Sequence, residues 1–363
     1  MSVSAPSETA REAGPAPSIR AVVSAAVFAG GGWLLACAIV IAIAVIALGL
    51  GRYAIEPLDV VRILLARLGV MDADVPDTAR RVVELVRAPR ILSAALAGAI
   101  LGMTGAALQG IFRNPLVGPQ IIGVTSGASF GGALAILLVG TTAATVGFAF
   151  VFGLVAVFIV YSIARVGGRA PVLMLVLAGV VVSAAFTAFV SLIKYVADPN
   201  DTLPAIVYWL MGSFATATYE KLGILALAVL VSALVLHVLR FRINIMSLGE
   251  EEATALGIRV EPTRWAILAA VALGVAGVVS VAGVVGWVGL VMPHLARMIV
   301  GPDHRKLLPA AALAGAGYLI IVDTLARTMS AAEIPIGILT ALVGAPVFAV
   351  LLRRLHLKRW GRG

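Results

Sequence analysis

Apolar residues recur along this chain in runs of about 20, the length a helix needs to cross the hydrocarbon core of a bilayer. Ten such runs can be drawn, at 31–51, 91–112, 121–140, 144–164, 171–193, 219–240, 265–282, 284–300, 307–327 and 335–352. They lack the strict two-residue alternation of a membrane β-barrel. The pattern predicts an all-α, polytopic membrane protein of about ten crossings. Dividing 265–300 into two helices rests on Gly283, Gly286 and Gly289 alone. An even count puts both termini on one side of the membrane.

Two polar connections carry patterns of their own. Within 52–90, the stretch Leu58–Leu68 has apolar positions at helical spacing. It reads as an amphipathic helix lying on the membrane surface or against helix ends. Within 241–264, Ser247 is followed three residues later by Glu250, the spacing of a capping box, and Gly257 is a natural stop. A short helix with an acidic start is therefore expected between two spans, as a docking element or as mere loop decoration. Residues 1–30 are rich in Ala, Ser and Pro, and their polar first half is expected to be disordered. The run after them is too long for a signal-peptide core and is read as a retained first helix. The body of the protein is thus 31–354, followed by a short tail, 355–363.

Composition strengthens the membrane reading. Apolar residues make up 61% of the 363 positions and charged residues 12%, about half the usual share in a soluble domain. Mean hydropathy is +1.08. The net charge of +9 comes from residues scattered between apolar runs, such as Arg113, Arg165, Arg169, Arg240, Arg242 and Arg305. These connections share a side with the termini, and the positive-inside rule makes that side cytoplasmic. In 52–90, by contrast, acidic residues nearly balance the basic ones. The surplus suits anionic headgroups, and no aromatic-basic pattern suggests nucleic acid. Cys37 is the sole cysteine, so no intramolecular disulfide or multi-thiolate metal site can form.

Candidate chemistry is sparse. No Gly-rich phosphate loop ending in Lys-Ser or Lys-Thr occurs, and no metalloprotease or serine-hydrolase motif. His237, His294, His304 and His356 all fall toward the inner side, where none is set to hold a metal in an outward cavity. Asp323 and Arg327, four apart, can pair or mark an external helix end. Lys194 and Arg297 sit at span ends and reach for the interface. No series of intramembrane carboxylates suggests a proton relay. Gly98, Gly102 and Gly105 form a smooth stripe on the second span. Pro115, Pro119, Gly123 and Gly127 interrupt the backbone between the second and third spans, which is tolerated only against protein or a wet cavity. The Gly98–Gly105 run leading to Arg113-Asn-Pro, and the Gly283–Gly289 run leading to Gly301-Pro-Asp-His-Arg, echo one another weakly, as transporter repeats do.

Eight strings in order bring a resemblance. They are Arg87-Ala-Pro-Arg-Ile-Leu, Gly105-Ala-Ala-Leu-Gln-Gly-Ile-Phe-Arg-Asn-Pro-Leu-Val-Gly-Pro, Ile122-Gly-Val-Thr-Ser-Gly, Tyr208-Trp-Leu-Met-Gly-Ser, Ser247-Leu-Gly-Glu-Glu-Glu, Gly289-Leu-Val-Met-Pro-His, Gly301-Pro-Asp-His-Arg and Ala332-Glu-Ile-Pro-Ile-Gly. Across about 50–354 the chain resembles the permease subunits of ABC importers for iron chelates, haem and cobalamin. The resemblance implies a transport subunit of the bacterial inner membrane that pairs with a second copy of itself. It binds no cofactor itself, because ATP and Mg sit on two separate ATPase subunits. A periplasmic or lipid-anchored substrate-binding protein delivers the cargo. The segment Ser247, Leu248, Gly249, Glu250, Glu251, Ala253, Leu256 and Gly257 matches the helix that seats in the ATPase. Arg87, Arg90 and Arg327 match the arginines that meet the binding protein, with interfacial snorkelling as the plainer alternative for the first two. Asn114, Pro115, Pro119, Gly123, Ser126 and Gly127 fall at the cytoplasmic end of the path, where gating is implied. An iron chelate or haem is the first expectation for cargo and cobalamin the second. An ion-driven carrier or an intramembrane enzyme remains the alternative class.

Overall fold

The computed structural model describes residues 31–67, 69–70, 75–165, 167 and 169–360, with side chains to 350 and at Arg353. The disorder expected in 1–30 and the last residues of the tail, 361–363, lie outside the described residues. Among the described residues there is no strand. We number the helices α1 (Gly31–Gly49), α2 (Pro57–Arg67), α3 (Asp77–Ile111), α4 (Val124–Leu138), α5 (Thr142–Ala164), α6 (Val172–Val196), α7 (Thr202–Leu210), α8 (Tyr219–Met246), α9 (Glu250–Ala255), α10 (Val260–Ala282), α11 (Val288–Val300), α12 (His304–Thr328) and α13 (Ile336–Trp360).

Seven of these, α1, α3, α5, α6, α8, α10 and α12, are long and apolar enough to cross a membrane, while α4, α11 and the apolar part of α13 are shorter. Helix starts follow local chemistry. Thr141 Oγ1 accepts from Ala144 N at 3.3 Å and Thr218 Oγ1 from Lys221 N at 3.3 Å, capping α5 and α8. The amphipathic stretch forms α2, with Val60 and Ile63 buried against α1. The second span starts at Asp77, well before the expected 91, through a wide π-helical turn at Val82–Arg87. The predicted third span resolves into a 3₁₀ turn, Pro119–Ile122, followed by α4. The expected division after Ala282 occurs at 283–287, where Gly283 has φ +70° and Trp287 φ +68°.

Small residues set the packing. The α3 stripe lies so close to its neighbours that a Cβ on Gly98 would be 2.1 Å from the Gly315 carbonyl oxygen. On Gly102 it would be 2.2 Å from Ala311 O, and on Gly105 1.8 Å from Gly289 O. Thus α3 lies against α12 and the start of α11, backbone on backbone. Gly127 and Gly131 do the same for α4 on α5. Helices α3 and α10 form the buried centre, whereas α1 is a largely exposed outer strut. At 28 residues, α8 spans about 42 Å, so it overshoots a hydrocarbon core of about 30 Å by roughly 10 Å. That overshoot carries α9 beyond the bundle. A helix not foreseen in the sequence, α7, follows the turn at Asp198–Asp201 and presses Trp209 onto Gly132.

Candidate functional site

Three places on the bundle gather the residues singled out above. The first is α9, outside one end of the bundle. Its stop is as expected: Gly257 has φ +78°, Gly257 N donates to Thr254 O at 2.9 Å and Ile258 N to Ala253 O at 2.9 Å. That is a full Schellman ending, which needs the left-handed conformation glycine adopts freely. Its start differs from the expectation. Ser247 is no N-cap. It closes α8, with its hydroxyl donating to Asn244 O at 2.6 Å. Gly249 takes the N-cap position with an extended backbone, and the Glu252 carboxylate folds back over it. The reason is the length of α8, which runs six residues past the expected 240 and claims Ser247 for its own end. In α9 itself only Ala253 is buried, while Leu248, Glu251 and Leu256 are exposed. Glu250 does not stand free. Its carboxylate pairs with the fully buried Arg264, a residue that no motif marks in the sequence.

Beside α9, a polar knot fixes the same end of the bundle. Asn244 on α8 donates to Asp303 Oδ1 at 2.6 Å and accepts from His304 N at 2.7 Å. The His304 ring lies 2.8 Å from Asn244 Oδ1 and 3.3 Å from Ala106 O of α3. Gly110 leaves room for that ring, since a Cβ there would sit 2.5 Å from it. Burial works to raise the pKa of Asp303. Hydrogen bonds from Arg305 and Asn244 outweigh it and hold the carboxyl at about 2.

The second place is the irregular backbone between α3 and α4 together with 283–287. Arg113 has φ +50°, and the Asn114 side chain accepts from Leu116 N at 2.9 Å, turning the chain into Pro115. Pro119 opens the 3₁₀ turn, Gly123 (φ +78°) precedes α4, and Gly127 faces Ala156 and the Phe152 carbonyl of α5. Gly289 is wedged between Gly105 and Pro119; its own Cβ would be 2.7 Å from Pro119 Cδ. The two glycine runs that echo in sequence therefore meet in space. The only two non-glycine residues with positive φ among the described residues, Arg113 and Trp287, lie one in each segment. Such conformations are costly and mark places where the fold holds the backbone under constraint. Two adjoining clefts open here, of about 120 and 400 Å³. Gln120 and Thr125 line both, Ser126, Ser129 and Thr187 line the larger, and no charged side chain borders either. Of the expected gate residues, Pro119 and Ser126 reach these clefts; Asn114, Pro115, Gly123 and Gly127 shape the backbone around them.

The third place, at the opposite end, holds the three arginines matched to binding-protein docking. Arg87, Arg90 and Arg327 are each buried. Arg87 donates to Leu48 O at 2.7 Å, Gly49 O at 3.1 Å and Tyr53 O at 2.5 Å. Arg327 donates to Leu50 O at 2.6 Å and to Ala47 O. Together they cap the C-terminal carbonyls of α1, which have no partners within the helix. Arg90 instead binds Asp323 and Glu333. The pair foreseen between Asp323 and Arg327 is the looser one, at 3.9 Å. Burial has a simple cause: the π-helical turn before Ala88 swings Arg87 inward, and α12 packs directly on α3 at Gly98. Around the cluster, Arg52, Arg80 and Arg81 are exposed.

Comparison with known proteins fits this geometry. A model of the FecCD transport family matches residues 38–354. The molybdate import system permease protein MolB of Haemophilus influenzae is 46% identical over 322 residues, covering 88% of this chain and 93% of that protein. The cobalamin import system permease protein BtuC of Halobacterium salinarum is 40% identical over 284 residues, covering 77% and 75%. A solved inward-facing structure described as of metal-chelate ABC transporter type superposes with a TM-score of 0.79 at 42% identity, covering 89% of this chain and 98% of that one.

Proposed function

The chain belongs to the FecCD transport family, and from that premise we propose that it forms the path of an importer for a small oxyanion of the molybdate kind. It is the permease of an ABC importer, a transport subunit; energy on this reading comes from ATP hydrolysis on partner chains. The observation that carries the cargo reading is the lining of the clefts by Gln120, Thr125, Ser126, Ser129 and Thr187 with no carboxylate among them. The Gln120 amide and the Thr125 and Ser126 hydroxyls can donate to an oxyanion, whereas the Ser129 and Thr187 hydroxyls donate to Thr125 O and Ser183 O of their own helices. The absence of fixed positive charge keeps the ion from being trapped. The molybdate permease relative supports it, being similar over nearly its whole length. An iron chelate, the first expectation from the sequence, is the second reading. It is favoured by the metal-chelate type of the superposed structure.

On this reading α9 faces the cytoplasm, where exposed Leu248, Glu251 and Leu256 meet the ATPase, and both termini lie on that side of the bacterial inner membrane. The opposite end receives the binding protein. Arg87, Arg90 and Arg327 act there by holding the segments around Tyr53 and Glu333, which present Arg52 and its neighbours outward. A second copy of the chain completes the path beside the Ser126–Thr187 cleft. The test is uptake into proteoliposomes containing this chain, its ATPase and its binding protein. ATP-dependent uptake of labelled molybdate, competed by tungstate and indifferent to ferric chelates, is expected. Uptake of a ferric chelate with none of molybdate would replace this reading with the second.

A further inference from the structure

We propose that Arg264 is a positioning residue that makes α9, the start of α10 and the α5–α6 connection move as one body. The proposal rests on reading α9 as the element that meets the ATPase. Arg264 is 1% exposed, on the first turns of α10. One guanidinium reaches three segments. Its NH1 donates to Ala170 O in the α5–α6 connection at 2.7 Å and to Glu261 Oε1 at 2.6 Å. Its NH2 donates to Glu250 Oε1, at the start of α9, at 2.5 Å. Glu261 Oε1 also accepts from Ala170 N at 3.0 Å, so Ala170, Glu261 and Arg264 close a ring.

The need for such a device follows from how little else holds α9. Ala253 is its sole buried side chain, and one methyl group cannot fix the direction of a six-residue helix. Gly249 precedes it and Gly257 follows, both without side chains to brace it. Left to that contact, α9 would swivel under load instead of passing the load on. A planar guanidinium with donors on several sides can hold all three partners at fixed angles; a lysine ammonium, a point charge on a flexible stem, cannot. Burying a cation is costly, and such pairs are best attested where they fix one arrangement among several. Here the fixed arrangement joins α9 to α5, α6 and α10. Helices α4 and α5 pack closely at Gly127 and Gly131, so displacement of this body reaches the Thr125–Ser129 cleft.

The experiment uses the full chain with Cys37→Ser, carrying spin labels at Glu252→Cys and Arg169→Cys, diluted with unlabelled chain in liposomes. The distance is read by double electron–electron resonance with the ATPase bound, nucleotide-free and trapped with ATP and vanadate. A narrow distance that does not change between the two states is expected with Arg264 and Glu250 intact. Glu250→Gln, which removes charge only from the exposed partner, and Arg264→Met should both broaden it and make it shift on trapping; Arg264→Lys should fall between. The proposal is overturned if the intact protein's distance shifts on trapping, or if folded Glu250→Gln stays as narrow and constant as the parent. Leu256→Asp, on the exposed face, separates the two readings. If it leaves ATPase binding unchanged, docking through α9 fails, while the nucleotide-free width still decides the latch.

Discussion

Arg90 and Asp323, 233 positions apart in sequence, form a forked buried pair: Nε lies 3.0 and 2.9 Å from the two carboxylate oxygens and NH2 lies 2.9 Å from Oδ1. The pair pins α3 to α12 about two helical turns from the contact between Gly98 and Gly315. Both partners are buried, so each relies on the other, with Glu333 and Arg327 at their outer side, to stay charged.

Removing one partner should therefore cost more than removing both. Asp323→Ala leaves the buried Arg90 with Glu333 as its remaining anionic partner and uncovers its Nε and NH2 donors, and is expected to lower stability by about 3 kcal/mol. The double variant Asp323→Leu with Arg90→Met should recover much of that loss. Thermal unfolding in detergent, followed by helix signal, gives the comparison. A double variant no more stable than Asp323→Ala would contradict it.

The arginines that cap α1 give a sharper test of docking. Arg87→Met and Arg327→Met uncover the carbonyls of Ala47, Leu48 and Leu50, while Gly49 O keeps its bond from Ile55 N. Each should loosen α1, seen as faster proteolysis of the connection after Leu50, and weaken binding-protein affinity in parallel. Affinity lost with no change in proteolysis would instead mean that the guanidinium itself touches the partner.

Glycines on similar membrane helices should differ according to what surrounds them. Gly105→Ala places a methyl group where the Gly289 carbonyl lies, whereas Gly147 on α5 has nothing within 4 Å. The first substitution should destabilise by about 1–3 kcal/mol or more, as overpacking does. Gly147→Ala should be neutral or slightly stabilising, by the better helix propensity of alanine. Equal melting temperatures for the two variants would refute the close approach of α3 and α11.

Asp303 predicts a dependence on acid. Its folded pKa of about 2 lies below the ordinary 3.8, so ionisation contributes stability fully above about pH 4. That contribution is lost as pH falls from about 4 toward 2. Asp303→Asn keeps the cap on Arg305 N but should flatten this acid limb, leaving stability near neutrality lower and less pH-dependent. Unfolding curves at a series of pH values decide it; an unchanged acid limb would show that Asp303 does not titrate in this window.

Much of this architecture is local and so was legible in the sequence. The apolar runs mark the long helices, because backbone groups in lipid must bond within their own segment. Gly257 ends α9 by its freedom at positive φ, and Gly98, Gly102 and Gly105 give α3 its close-packing stripe whichever neighbours it meets. The glycines at 283, 286 and 289 correctly divide α10 from α11. The start of α9 is not legible at Ser247, because the capping signal there competes with the continuation of α8, and that competition is settled by tertiary packing of Ile243 and Met246. Helix α7 is not legible because nine residues give too short a run to distinguish from a loop.

The charged side chains were decided by tertiary structure alone. Sequence identifies Arg87, Arg90 and Arg327 as basic residues near external helix ends and supports an outward reading, and it counts Arg264 only among the basic residues of an inner connection. A guanidinium reaches several ångströms in any direction, so its partner depends on which helices pack beside it. Arg90 finds Asp323 because α12 lies on α3; Arg264 finds Glu250 because the turn at Gly257 folds the start of α10 back beside α9. Periodicity fixes which residues are helical and which face is smooth. Only the packed bundle fixes which carbonyl or carboxylate each arginine holds.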